Sequence, residues 1–208
     1  MHSDIQLRSG DALLVVDMQN DFLPGGALPV TEGDVVVPAL NHCIKAFTHE
    51  HLPLIFSRDW HPLDHRSFKG HGGHWPPHCI ATSTGADFAA GLKVPDCALI
   101  ISKATSVDEE AYSVFENTEL AQRLNELQIK RLFVGGLATD YCVRATVLDA
   151  LATGFAVIVL QDAVRAVELK EGDGEHALRD MSSRGALLRN SHRLFESTLQ
   201  HLTHQLMH

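Results

Sequence analysis

The stretch RLFVGGLATDYCVRATVLDALATGF, Arg131 to Phe155, decides how the chain folds. Its apolar start, Leu132 to Val134, has the character of a buried strand, and the run breaks at Gly135-Gly136. After Leu137-Ala138-Thr139-Asp140, a helical pattern begins beside Tyr141-Cys142 and ends at Gly154. A cysteine where a strand passes into a helix sits near unpaired amides and the positive end of the helix dipole. That placement predicts a depressed thiol pKa and an accessible thiolate at Cys142.

Working outward, the same strand-and-helix alternation recurs. ALLVVD (Ala12–Asp17), LIFSRD (Leu54–Asp59), ALIISK (Ala98–Lys103) and AVIVLQD (Ala156–Asp162) are further apolar runs. A short sixth strand is expected at Leu187–Asn190. Helical spacing marks Val36–His51, Thr118–Gln128, the segment EGDGEHALRDMSSRGALL and a terminal stretch, RLFESTLQHLTHQLMH. Apolar strands alternating with helices predict an open parallel α/β sheet with right-handed crossovers. Such sheets bind ligands at the carboxyl ends of their strands, beside the switch point. Strand order stays open, but in the common 3-2-1-4-5-6 order the first and fourth strands flank that crevice. Asp17, Asp59, Lys103 and Cys142 then converge on one rim, each at or just past a strand end.

Composition narrows the classes of function. With 208 residues, 45% hydrophobic, the chain is expected to form one domain, residues 1–208, with a substantial core. A formal net charge of -9 argues against a nucleic-acid or anionic-membrane partner. No apolar run approaches the roughly 20 residues that span a bilayer. The N-terminal MHSDIQLRSGD lacks a signal core, so the cytoplasm is the expected compartment. Cys43, Cys79, Cys97 and Cys142 contain no C-x-x-C pair and suit reduced thiols.

Two constellations carry chemistry. In the first, Asp17 takes the Cys142 thiol proton, the Lys103 ammonium favours the charged forms, and the thiolate attacks a carbonyl. Amides in the Gly-Gly-Leu-Ala-Thr-Asp turn and at Cys142 face a developing oxyanion. The second is the irregular, histidine-rich segment that opens with Asp59-Trp60-His61. Residues two apart on an extended chain project to one side, so Asp59 and His61 reach the same ion. His78 can close the set, although His65, His71 and His74 keep the third position open. One carboxylate and two imidazoles suit zinc, iron or manganese with exchangeable positions. Cys79 is read as a packed loop residue, Asp108-Glu109-Glu110 as a solvated face, and Phe22 and Trp75 as walls for a flat substrate.

VVDMQNDF, LPGGALPV, SRDWHPLDHRSF, WPPHCIATSTGADF, ISKATS…YSVF and VGGLATDYCVRATVLDA occur in this order over roughly Ala12 to Asp162. Together they closely resemble the nicotinamidase/pyrazinamidase group of the isochorismatase-like cysteine hydrolases. The resemblance implies a Rossmann-like three-layer fold, a central parallel six-stranded sheet flanked by helices. It implies Asp17, Lys103 and Cys142 as the catalytic triad and Ala138 and Cys142 as oxyanion amides, with a cis peptide between Leu137 and Ala138. It places metal ligands on Asp59, His61 and His78, with His65 as a candidate fourth, and ring-stacking roles on Phe22 and Trp75. Tyr112 falls near the pocket edge. The implied cofactor is one divalent metal ion, zinc ahead of iron or manganese. The implied reaction is hydrolysis of nicotinamide to nicotinate and ammonia, with pyrazinamide as a second substrate, in NAD salvage. The alternative is an amidase of the same superfamily acting on a ureido or carbamoyl compound. A homo-oligomer is compatible with all of this.

Overall fold

A computed structural model describes residues 5–194. Six strands form one sheet: β1 (Asp11–Val16), β2 (Leu54–Asp59), β3 (Leu99–Lys103), β4 (Arg131–Leu137), β5 (Ala156–Arg165) and β6 (Leu187–Arg189). Their order is β3-β2-β1-β4-β5-β6 and every neighbouring pair is parallel. The chain reverses direction across the sheet between β1 and β4, which makes their carboxyl ends the switch point.

Parallel strands covered on both faces need apolar side chains at every position, and β1 shows how these are divided. Leu13 and Val15 join one core cluster with Phe56, Phe133 and Ile158. Ala12, Leu14 and Val16 join the other with Leu132, Val134 and Val159. Helix α1 (Val37–His49) covers the first face through Leu40, Cys43, Ile44 and Phe47, at the spacing of one helical stripe. Its first turn accommodates Pro38, whose missing N–H is no loss there. Helices α2 (Leu120–Glu126), α3 (Arg144–Ala152) and α4 (Asp173–Ser183) cover the second face through Leu120, Leu124, Val147, Ala150 and Met181. The parallel α/β sheet expected from the pattern, and the three layers implied by the resemblance, are therefore present.

The turn after β4 differs from expectation in one respect. Thr139–Val143 form a π-helical turn, with the Val143 N–H donating to the Ala138 carbonyl five residues back at 3.1 Å. The α-helix proper begins at Arg144, so Cys142 lies in the widened turn before it. Gly136 permits the turn's close approach to β1. Its φ is +118°, and a Cβ there would lie 2.0 Å from the Val16 carbonyl oxygen. Among the described residues, no helix is long and apolar enough to cross a membrane. Of the expected terminal helix, Arg193 and Leu194 fall in a 3-10 turn, Ser191–Leu194, and residues 195–208 lie outside the described part.

Candidate active site

The four strand-end residues meet as the topology requires. Asp17 follows β1 directly, with φ +47°, and Asp59 and Lys103 are register partners at the ends of β2 and β3. Asp17, Asp59 and Lys103 are at most 5% exposed, and Cys142 is 7% exposed on a pocket wall shared with Ala138. Lys103 is the hub. Its Nζ lies 3.0 Å from Asp17 Oδ2, contacts Asp59 Oδ1, donates to the Ala111 carbonyl at 3.0 Å and reaches Cys142 Sγ at 3.5 Å. The Asp17 contact is an ion pair outside hydrogen-bond alignment, which leaves Oδ2 free to accept a proton. The other carboxylate oxygen, Oδ1, accepts a 2.6 Å hydrogen bond from the Ser57 hydroxyl.

Burial governs the protonation states here. It pushes the Asp17 carboxyl up, against the opposing pull of the Lys103 ammonium. For Asp59, burial pushes the same way, but the opposing pull, led by the Lys103 ammonium, outweighs it and holds the carboxyl below its usual range. Lys103 loses hydration as well, yet its two carboxylate partners raise its pKa well above the ordinary value. The depressed thiol pKa expected of Cys142 does not survive. Desolvation, reinforced by Asp17 and Asp59, overrides Lys103 and pushes the thiol well above its ordinary value. Position near a helix start contributes at most about 2 kcal/mol, which is less than burial of a thiolate beside two carboxylates costs. The resting group is a neutral thiol with a proton acceptor beside it.

Asp59, His61 and His78 present one donor atom each, all within 4.8 Å of one another. Both imidazoles are oriented by their second nitrogen. His61 Nδ1 donates to the His78 carbonyl at 3.0 Å and His78 Nδ1 donates to the Pro76 carbonyl at 2.8 Å. Each Nε2 lone pair is thereby kept for a ligand, the usual outer-shell arrangement of metal-binding histidines. Burial holds both rings neutral, pushing His61 down to about 4 and lowering His78 too. Two neutral imidazoles and an ionised carboxylate fit a divalent ion such as zinc.

His65 is not part of this set. It is buried, with Nδ1 2.7 Å from the Ser67 hydroxyl and Nε2 3.0 Å from the Glu109 carbonyl, so neither ring nitrogen has a spare lone pair. Cys79 is fully buried in the core, as expected of a packing residue. Phe22 and Trp75 both line the pocket, Phe22 against the His78 ring at 5.6 Å. Tyr112 also lines it, accepting from Trp75 Nε1 at 3.0 Å. The Leu137–Ala138 peptide is cis.

Several participants were not anticipated. Ser57, which holds Asp17, follows the apolar Leu54-Ile55-Phe56 in β2 and is itself buried. Gln19 is fully buried and clasps the Asp59 backbone, accepting from its N–H and donating to its carbonyl, both at 2.8 Å. Asp21 accepts from the Cys79 N–H at 2.7 Å, tying the Phe22 loop to the His78 loop. Tyr141 completes an aromatic rim, its ring 5.4 Å from that of Trp75 and 5.7 Å from that of Tyr112. Nothing in local pattern marked those three.

Comparison with known proteins agrees with this geometry. The model of the isochorismatase domain matches residues 11–192. The chain belongs to the isochorismatase family. Within the family it is 39% identical over 198 residues to the nicotinamidase of Escherichia coli K12, covering 85% of this chain and 93% of that one. Among solved structures it is similar to the pyrazinamidase of Pyrococcus horikoshii in complex with zinc. That likeness has 50% identity and a TM-score of 0.84, and covers 87% of this chain and 99% of the other. The L. infantum protein PnC1 in complex with nicotinate is 34% identical with a TM-score of 0.84, covering 91% and 98%.

Proposed function

We propose that the protein is a metal-dependent nicotinamidase, an amidohydrolase that converts nicotinamide to nicotinate and ammonia in NAD salvage. The observation that carries the reading is the junction at Lys103. One buried ammonium joins Asp17 and Cys142 to Asp59 of the Asp59/His61/His78 donor set, and Cys142 and those three donors line a single aromatic-walled pocket. Nicotinate bound to one relative, zinc bound to another and nicotinamidase activity named for a third all support it. Pyrazinamide, another ring carboxamide, is the expected second substrate. The proposal treats the whole chain as one catalytic domain that works in the cytoplasm.

Asp59, His61 and His78 would hold the divalent ion, zinc by their donor chemistry, where it supplies a Lewis-acid site with exchangeable positions. Phe22 and Trp75 sandwich the flat ring and orient its carboxamide towards Cys142, and such orientation is worth several kcal/mol of barrier. Asp17 accepts the thiol proton as sulfur bonds to the carboxamide carbon. The raised pKa of the carboxyl makes it a stronger base for this step. The Ala138 and Cys142 amides stabilise the tetrahedral oxyanion. Protonated Asp17 then gives its proton to the departing nitrogen, the C–N bond breaks and ammonia leaves a thioester. Asp17 next takes a proton from water as the hydroxyl adds to the thioester. Collapse breaks the C–S bond, returns the proton to sulfur and releases the carboxylic acid, which ionises to nicotinate as its proton passes to the released ammonia.

The test is ammonia release from nicotinamide by the metal-loaded protein, run beside Cys142→Ala. Turnover by the wild type alone is the expected result. Turnover retained in Cys142→Ala would remove sulfur as the nucleophile, and a wild type silent on nicotinamide would remove the substrate assignment.

A further inference from the structure

We propose that His65 is a positioning residue rather than a metal ligand: its ring latches the segment that forms one wall of the substrate pocket. The inference rests on the nicotinamidase reading for its substrate, but its geometry stands separately. Ser67 directs both its N–H, at 3.3 Å, and its hydroxyl, at 2.7 Å, to His65 Nδ1. With Nδ1 accepting, the ring proton is on Nε2, which donates to the Glu109 carbonyl at 3.0 Å. The ring is fully buried and its centroid is 4.4 Å from that of His61. It therefore stands beside the donor set while both its nitrogens face elsewhere.

What the ring holds is an edge of three consecutive carbonyls. Arg66 donates its backbone N–H to Val107 O at 2.9 Å and a guanidinium N–H to Asp108 O at 3.0 Å, and His65 takes the next, Glu109 O. The two residues after it, Glu110 and Ala111, line the pocket, as does Tyr112. The Ala111 carbonyl also accepts from Lys103 Nζ. Asp108, Glu109 and Glu110 are exposed, as expected of a solvated face, while the backbone carbonyls of Val107, Asp108 and Glu109 are anchored beneath it. Losing the latch leaves the Glu109 carbonyl without its buried donor and lets the wall drift from the substrate ring.

The experiment compares metal content, steady-state kinetics and amide exchange in wild type, His65→Ala, His65→Gln and Arg66→Ala. His65→Ala is expected to keep wild-type zinc stoichiometry after dialysis. Its KM for nicotinamide should rise about tenfold, the scale of one part-buried hydrogen bond, with a smaller change in kcat. Exchange of the amides at 107–112 should quicken. His65→Gln, whose amide donates from nearly the same place, should recover most of the KM, and Arg66→Ala should shift KM the same way to a lesser degree. Substoichiometric zinc in His65→Ala, with KM restored by excess metal, would make His65 a ligand and overturn the proposal. Wild-type KM and exchange in His65→Ala would make it a space filler. If His65→Ala does not fold, Arg66→Ala reads the same edge, and an unchanged KM there overturns the latch. Zinc content and exchange are measured without substrate, so a failure of the nicotinamide assignment remains distinguishable.

Discussion

Replacing Lys103 by methionine keeps most of the side-chain volume and removes one charge, which makes it the sharpest probe of the buried cluster. The Lys103 side chain has no exposure and faces two carboxylates, one at 3.0 Å. At an effective dielectric near 20, a single charge pair at that distance attracts by about 5 kcal/mol. The ammonium regains its own hydration cost when removed, so the net loss on breaking such a buried pair is about 3–5 kcal/mol. For a chain of this size that corresponds to a Tm lower by roughly 6–20 °C. The deficit should also carry a pH signature. Without Lys103, Asp17 and Asp59 oppose each other across less than 4.8 Å, and at least one carboxyl takes a folded pKa above its unfolded value. Such a group stabilises the fold below the unfolded value near 3.9, and the contribution is lost as pH rises through the folded value. The gap between wild type and variant should therefore widen from about pH 4.5 towards neutrality. Calorimetry with chelator present, which removes metal linkage, measures it. Equal Tm values near neutral pH, or a gap that narrows as pH rises, would refute the account. Adding Asp17→Asn to the variant should recover part of the loss.

Asp17→Asn alone keeps the side-chain shape and tolerates the left-handed backbone at that site, so it should fold while kcat falls about 10²–10⁴-fold; a kcat within tenfold of wild type counts against Asp17 as the base. Chelation should abolish turnover and zinc, iron or manganese should restore it, whereas full activity after exhaustive chelation would separate catalysis from the donor set. In the metal-free protein, folded His61 stays neutral down to about 4 while the unfolded ring titrates near 6.5. Folded chains then bind fewer protons across that window, so Tm should decline as pH falls through it, less steeply in His61→Gln; equal slopes would remove His61 as a source. Gly136→Ala should yield little soluble protein, because its Cβ would meet the Val16 carbonyl at 2.0 Å; a wild-type melting curve would show that the turn relaxes freely.

Much of this protein is legible in its sequence because periodicity and side-chain chemistry are local properties. β1 shows it well: the run Ala12–Val16, apolar at every position, implies burial on both faces, and its alternate residues do enter two separate cores. The spacing of Asp59 and His61 likewise implies one shared side, where the structure puts both. Tertiary structure decided what depends on neighbours from elsewhere in the chain. Only strand order sets the turn carrying Cys142 beside Asp17, through the pairing of Val16 with Gly136. Only packing shows that Ser57 bonds the Asp17 carboxylate and Gln19 the Asp59 backbone, and that Glu109, 44 residues away, takes the His65 nitrogen a metal would need. The thiol is the clearest case. Its place before a helix pointed to a low pKa, but desolvation is set by everything that packs around a group, and here it prevails.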